Sequence, residues 1–506
     1  MGKYSQTLPA LLSALLALGL YAISLGGTYI YDDVDIIQTD PRIHDSSQWK
    51  LYWTQSYNDG ADNLYRPLTS MSYAIEWQLH GDRPWIFHLI NVLLHAAVCA
   101  CLTELTRRLL GSPAALVAGL LFAAHPIHVE AVANIVGRAE LLCALGTLGA
   151  MILLLRPMTQ SRAIAITGCF MLALLSKEQG MLLPLLLLIL WLARRKNLPI
   201  TPATRNHLLL LVLMLCWILA GYIIWREHIL KFWWDQNFLD WTINPMVAIK
   251  YNPHGGSVGA DRWLMPLALL GRYTALLFAP MKLSIDYGAK VIGWSVRLSD
   301  PYLYIGIAAV LAWIGLLVLS LIRRWAVCVF ALLSLAITYG IVGNIITLIG
   351  TNFGERLMYL PSAFFLIVIA FLLTKLPRPS VIAFTTIALI FASIRTCTYA
   401  AAWNDRLEFY KTSLAQQPNS IRLYMLVTAE DLSQGRLDDA QRVVAQGRDL
   451  LPEYWEIWLQ SGVVSLQRGE YDQAQKYFDR AMQIQPSLKT QGWMEKLAKL
   501  RATTHS

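Results

Sequence analysis

The stretch HPIHVEAVANIVGRAE, His125 to Glu140, decides how this chain is read. It closes an apolar run, residues 114–124, that suits the body of a membrane helix, and then abruptly gathers His, Glu, Asn and Arg. Ionisable side chains are costly at membrane depth. Such a cluster is either an interfacial loop whose polar groups meet headgroups and water, or a site. Other polar clusters, distant in sequence, fall on the same side of the membrane once the spans are drawn, which favours a site.

The composition supports spans. Of 506 residues, 56% are hydrophobic and 15% charged, with a mean hydropathy of +0.45, against roughly 25% charged in soluble domains. The net charge of +9 does not imply nucleic acid, because Lys and Arg stand in pairs and triplets beside apolar runs, where they set orientation. The seven cysteines lie in or beside apolar segments, without metal-like spacing, and imply no disulfide framework.

Residues 8–25, preceded by Lys3, are longer than the ~7–15 residues of a signal-peptide core and read as a retained first span with a cytoplasmic N-terminus. A polar stretch to residue 84 follows, whose Trp49, Trp53 and Trp77 suit helices lying on the membrane surface. Basic groups then alternate. Residues 85–105 end at Arg107 and Arg108, 114–132 lead out to the histidines, and 139–155 return to Arg156 and Arg162. Residues 164–175 run out to Lys177, 181–193 return to Arg194, Arg195 and Lys196, and 207–225 go out again. Residues 302–322, 325–345, 357–373 and 381–399 complete about eleven expected spans. The expected architecture is all-α: a membrane helical bundle in residues 1–402 with external loops 26–84 and 226–301, the middle of the second, around Arg272, being re-entrant or interfacial. The C-terminus lies outside, so a cysteine at Ser487 is expected to react with impermeant reagents and one at Asn197 is not.

After Trp403 the composition becomes that of a soluble helical domain, residues 403–506. Gly435 and Gly469, Asp438 and Asp472, Ala440 and Ala474, and Pro452 and Pro486 are each 34 residues apart, the tetratricopeptide period. About two and a half repeats and a capping helix are expected.

The chemistry is expected from the external polar groups. A carboxylate held at a membrane surface, such as Asp32 or Asp33, can act as a general base or bind a metal. Arg66, Arg138, Lys177, Arg272 and Arg356 put cations on one side, where singly each is a snorkelling anchor and together they suit an anionic headgroup, since guanidinium clamps phosphate oxygens. His125 and His128, with Glu130 near, admit a divalent metal such as zinc or manganese. Pro126 disturbs that helix and spacing fixes no third strong ligand, so hydrogen bonding to sugar hydroxyls or phosphate is preferred. Trp233, Trp234 and Trp241 suit either stacking on a sugar ring or, preferably, interfacial anchoring.

The motifs YDDVDII (31–37), YRPLTSMSYAIEW (65–77), FHLINVLLHAAVCACL (87–102), LLFAAHPIHVEAVANIVGRAELL (120–142), LLSKEQGMLLP (174–184), LLFAPMKLSIDYG (276–288), GERLMYLPSAFF (354–365) and WNDRLEFYKTSLAQQPNS (403–420) occur in this order. In this the chain resembles the transmembrane and tetratricopeptide-repeat protein O-mannosyltransferases, a branch of the GT-C integral-membrane glycosyltransferases. Its repeat array is much shorter than in animal members. The resemblance implies transfer of a sugar, mannose in that family, from a polyprenyl phosphate to an acceptor, with protein Ser/Thr hydroxyls expected, on the external face and with inversion. It implies an acid at Asp32 or Asp33 as base. Donor phosphate and sugar would be held by Arg66, His125, His128, Glu130, Arg138, Glu140, Lys177, Glu178, Arg272, Arg356 and Tyr359. No nucleotide is required, in keeping with the lack of a Gly-rich phosphate loop, and no partner nucleic acid is expected. The setting implied is the bacterial inner membrane with the repeats periplasmic, or the endoplasmic reticulum membrane in a eukaryote. A non-catalytic repeat scaffold or a polyprenyl-lipid transporter is the competing class. The enzyme reading expects Asp33, His128, Arg138 and Lys177 to line one external cavity, and the repeats to present an acceptor while leaving donor binding to the membrane bundle.

Overall fold

The computed structural model describes residues 3–58, 64–195, 201–230 and 240–504. Among the described residues the elements are helices joined by short turns, with no strand. Trp233, Trp234, Lys196 and Asn197 lie outside them. Seven helices are long and apolar enough to cross a membrane, or eight if Ser112–Ala124 and Pro126–Ala133 form one broken span. Fewer than the expected eleven pass because Gln160–Ser176, Leu183–Arg194 and Ala326–Val342 are helical but short, and a full crossing takes about 20 residues. This is a multi-pass membrane protein. Leu213, Trp217 and Ile224 on Pro202–Leu230, Leu311 and Ile322 on Pro301–Ile322, and Ile387 and Ile394 on Arg378–Ala402 are left exposed, as lipid-facing surfaces require.

The deciding stretch is a broken helix. Pro126 has no N–H to continue Ser112–Ala124, the preceding His125 turns extended (φ −71°, ψ 122°), and the chain bends by 53° into Pro126–Ala133. Asn134 breaks it again before a short 3-10 turn, Ile135–Gly137, and helix Arg138–Leu154. Every residue from 121 to 140 is buried. The interfacial-loop reading is thereby set aside, because these side chains meet protein and not headgroups.

Backbone freed by such breaks must be satisfied internally at membrane depth. The loop after the first helix, Lys3–Tyr21, does this. It folds over the turn as a small core, in which Tyr29, Ile37, Tyr52 and Tyr73 pack with Ile135 and Val136. Asp261–Phe278, the segment expected to be re-entrant or interfacial around Arg272, is one unbroken helix with Pro266 inside it. Its charges are met locally: Asp261 accepts from Val296 N at 3.1 Å, Arg262 donates to Asn344 and Ile345 carbonyls, and Arg272 to Asp300 at 3.2 Å.

The C-terminal helices run from Arg406–Gln416 to Leu488–Thr504. Gly435 and Gly469, at equivalent repeat positions, take φ of +71° and +78°, the left-handed conformation in which glycine ends a helix without a Cβ clash. These helices do not stand alone. Ile421, Val444, Tyr454 and Ile457 share one apolar core with Trp241, Val247 and Ala289 of the segment 240–301. Trp241 is thus a core residue, edge-on to Tyr454.

Candidate active site

The two neighbouring aspartates have opposite environments. Asp33 is fully buried and accepts from Val136 N at 2.8 Å, Ile135 N at 3.1 Å and Ile30 N at 3.4 Å. Its carboxyl caps the broken helix. Burial pushes Asp33 up to about 7, although the three backbone donors pull the other way and the Asp32 charge adds to the rise. Asp32 keeps 24% of its side chain exposed and meets Arg356 at 3.0 Å and Arg422 at 3.9 Å.

Arg356 opens the 3-10 turn leading into Tyr359–Leu373. Its backbone N donates to Glu130 at 2.8 Å and its Nε faces the same carboxylate at 3.5 Å. Glu130 therefore caps a helix N-terminus, where a negative charge is favoured, while holding the guanidinium toward Asp32. Two further ion pairs stand near, the first buried and the second partly buried. Lys177 closes on Glu140, and Arg66 grips Glu178 at 2.9 and 3.2 Å. Glu140 is close enough to act electrostatically on Arg66, Lys177 and Arg356 alike. Asp32, Arg66, Glu130, Glu140, Lys177, Glu178 and Arg356 thus form one charged neighbourhood, in which each cation is matched by a carboxylate.

Four sequence-predicted residues make their hydrogen bonds elsewhere in the protein. Arg138 is fully buried and donates to Asn91, Ser72, Glu76 and the Phe87 carbonyl, leaving no face for a phosphate. His128 hydrogen-bonds the Phe122 carbonyl and Ser362, both at 2.8 Å. His125 meets the Leu277 carbonyl at 3.0 Å and caps Ile127 N. Tyr359 hydroxyl pairs with His95 at 2.7 Å. With both histidines so engaged they do not suit a metal, and among the described residues no group of three or more His, Cys, Asp or Glu is placed to hold one. Of Asp33, His128, Arg138 and Lys177, only Lys177 belongs to the charged neighbourhood, so the expected cavity is not lined by those four.

Arg272 also stands apart. It stacks on Tyr302 at 4.3 Å and lines a cavity of about 530 Å³ with Lys290, Trp294, Arg297, Asp300 and Asn419. The space beside Tyr31, Glu130, Asp286 and Arg356 is only about 20 Å³, room for a single water. The residue that sequence reading missed is Arg422. Nothing local in PNSIRLYM signals a partner near residue 32.

No family model matches the chain. It is 26% identical over 461 residues to a protein O-mannosyl-transferase of Caenorhabditis elegans, a match covering 86% of this chain and 61% of the relative. A protein O-mannosyl-transferase of Xenopus laevis is 43% identical over 137 residues, 26% of this chain and 16% of that one. A crystal structure of ArnT from Cupriavidus metallidurans bound to undecaprenyl phosphate aligns over 91% of this chain and 78% of its own, with 15% identity and a TM-score of 0.43. The chain thus spans about three-fifths of the length of the first relative. The resemblance carried by the motifs is borne out: over most of its length this chain is similar to a protein O-mannosyl-transferase.

Proposed function

We propose that the protein is an integral-membrane glycosyltransferase that moves a sugar, mannose by analogy with its relatives, from a polyprenyl phosphate to a hydroxyl acceptor such as protein Ser or Thr. The observation that carries this reading is Asp32: a partly exposed carboxylate between two cations, near further cations that are each paired with a carboxylate. In a single displacement the acceptor oxygen attacks the anomeric carbon as its bond to the phosphate oxygen breaks. Asp32 takes the hydroxyl proton, and the bonding electrons leave with the phosphate. Arg356, Arg66 and Lys177 are the groups to exchange a carboxylate partner for that phosphate, stabilising the charge as it develops. Attack opposite the leaving group inverts the anomeric centre. The space beside Glu130 and Arg356 is small, so this reading requires the region to open when substrates bind.

The C-terminal helices touch the same external loops that hold Asp32 and Asp286, so they lie on the side of the membrane where transfer takes place. In this reading that side is external, periplasmic in a bacterium, and the helices receive a protein acceptor.

The test is transfer by purified protein in lipid nanodiscs, using a panel of radiolabelled polyprenyl-phosphate sugars and Ser/Thr peptides. Asp32→Asn removes the proton acceptor at nearly constant volume and should lower turnover about 100-fold or more while donor retention stays near wild type. Movement of polyprenyl lipid between leaflets, undiminished in Asp32→Asn and without sugar transfer, would favour a transporter.

A further inference from the structure

We propose that Arg422, carried by the C-terminal helices, is a positioning residue of the reaction centre: with Arg356 it fixes the Asp32 carboxylate, so these helices complete the site. This rests on the reading of Asp32 as the base.

The two guanidinium groups divide the carboxylate. Arg356 holds Oδ2 at 3.0 Å and Arg422 faces Oδ1 at 3.9 Å. One cation would leave the carboxylate free to turn about its terminal bond, and two set its plane. The contact to Oδ1 is longer than a hydrogen bond, so Arg422 steers that oxygen by charge while leaving its lone pair available for a proton.

A second observation points the same way. Tyr31, the residue that presents Asp32, has φ of +61°, a conformation that is rare and strained for a bulky side chain. Strain of this kind persists only where surrounding contacts hold it, and here they come from the C-terminal helices. Tyr31 N donates to the Tyr410 hydroxyl at 2.8 Å, and the Arg422 guanidinium lies over the Tyr31 ring at 4.6 Å. Ser420 locks the approach, capping Leu423 N at 3.1 Å while bonding Asp286 of the second external loop at 2.6 Å. Arg422 therefore enters the site from the first turn of Ile421–Ser433, a helix docked at its N-terminus. A clean division in which the membrane bundle does chemistry and the repeats only recruit does not fit these contacts.

A partly exposed pair at 3.9 Å, such as Arg422 and Asp32, adds little to folding stability. Its loss should be read in turnover. With full-length protein in nanodiscs and whichever polyprenyl-phosphate sugar of the panel supports transfer, Arg422→Ala should lower kcat about 10- to 100-fold with little change in donor KM, the pattern of a group that acts in the transition state. Thermal stability should change little, because the Tyr410 hydroxyl still holds Tyr31 N. Arg422→Lys keeps the charge without the planar fork and should regain part of the loss, and added guanidinium should rescue Arg422→Ala but not Asp32→Asn. Wild-type kcat in Arg422→Ala beside an inactive Asp32→Asn overturns the positioning role alone. So does a loss accompanied by lower thermal stability, with recovery neither by Lys nor by guanidinium. Full turnover in Asp32→Asn, or none in wild type on any donor, overturns the reading of the site as well.

Discussion

Adjacent aspartates in YDDVD are equivalent by type and spacing, and their roles separate only through hydrogen-bond partners. Asp33 faces the freed N–H groups of Ile135 and Val136, whereas Asp32 faces cations and partial solvent. The perturbed Asp33 makes a testable signature. Burial raises its carboxyl to about 7, so the folded chain keeps a proton that the unfolded chain releases near the ordinary value of about 3.9. The stability that Asp33 contributes is full below that lower value and is lost as pH rises through about 7. Asp33→Asn cannot ionise. Between pH 5 and 8 the Tm of wild type should therefore fall relative to that of the variant, and parallel curves would show that Asp33 does not titrate in this range. A fall in transfer activity in Asp33→Asn should track the loss of folded protein, unlike that in Asp32→Asn.

Among the elements, helix Asp261–Phe278 is ambiguous in sequence, because its run is apolar enough to span while an extra crossing would invert the alternation that puts Arg323 and Arg324 inside. Its partner settles its conformation. It lies against Pro301–Ile322 at a crossing where a Cβ on Gly271 would stand 1.8 Å from the Tyr302 carbonyl oxygen and one on Gly306 1.9 Å from that of Leu267. Small residues let two backbones approach in this way in apolar surroundings. Gly306→Ala should force the pair apart and cost about 1–3 kcal/mol, the usual penalty of overpacking. Thermal denaturation in detergent would show a lowered midpoint, and an unchanged midpoint would mean that the close crossing is dispensable. The broken helix at His125 follows the same logic. Pro126 dictates the break locally, but the bend persists because Glu130 and Asp33 find partners in Arg356 N and in the 135–136 turn.

At the scale of the whole molecule, the external loops and the C-terminal helices are one assembly, joined by Asp32 to Arg422, Asp286 to Ser420, Asp240 to Tyr454 and Lys290 to the Leu450 carbonyl. Whichever side of the membrane holds the C-terminal helices also holds Asp32. Ser487 caps the last helix through Thr490, so the neighbouring Leu488, 84% exposed, is the better reporter. Leu488→Cys should react with an impermeant maleimide in intact cells. Arg323→Cys, in the basic turn between Pro301–Ile322 and Ala326–Val342, should react only after permeabilisation. The reverse pattern would place the site in the cytoplasm.

The all-α membrane class was legible in the sequence alone, because apolar runs, basic flanks and a 34-residue spacing are local properties that need no partner to be read. The identity of most residues in the charged neighbourhood was legible as well: Arg66, Glu130, Glu140, Lys177, Glu178 and Arg356 stand in motifs whose polar letters are too costly at membrane depth to be incidental. Only the tertiary structure showed which polar groups are hydrogen-bonded within the protein. Arg138, His125, His128 and Tyr359 carry the same chemistry as site residues, but each is saturated by a distant acceptor or donor, and a hydrogen bond between residues far apart in the chain leaves no trace in the spacing of either. The same physics hid Arg422, whose charge is set against Asp32 by the docking of one helix onto a loop almost the whole chain away.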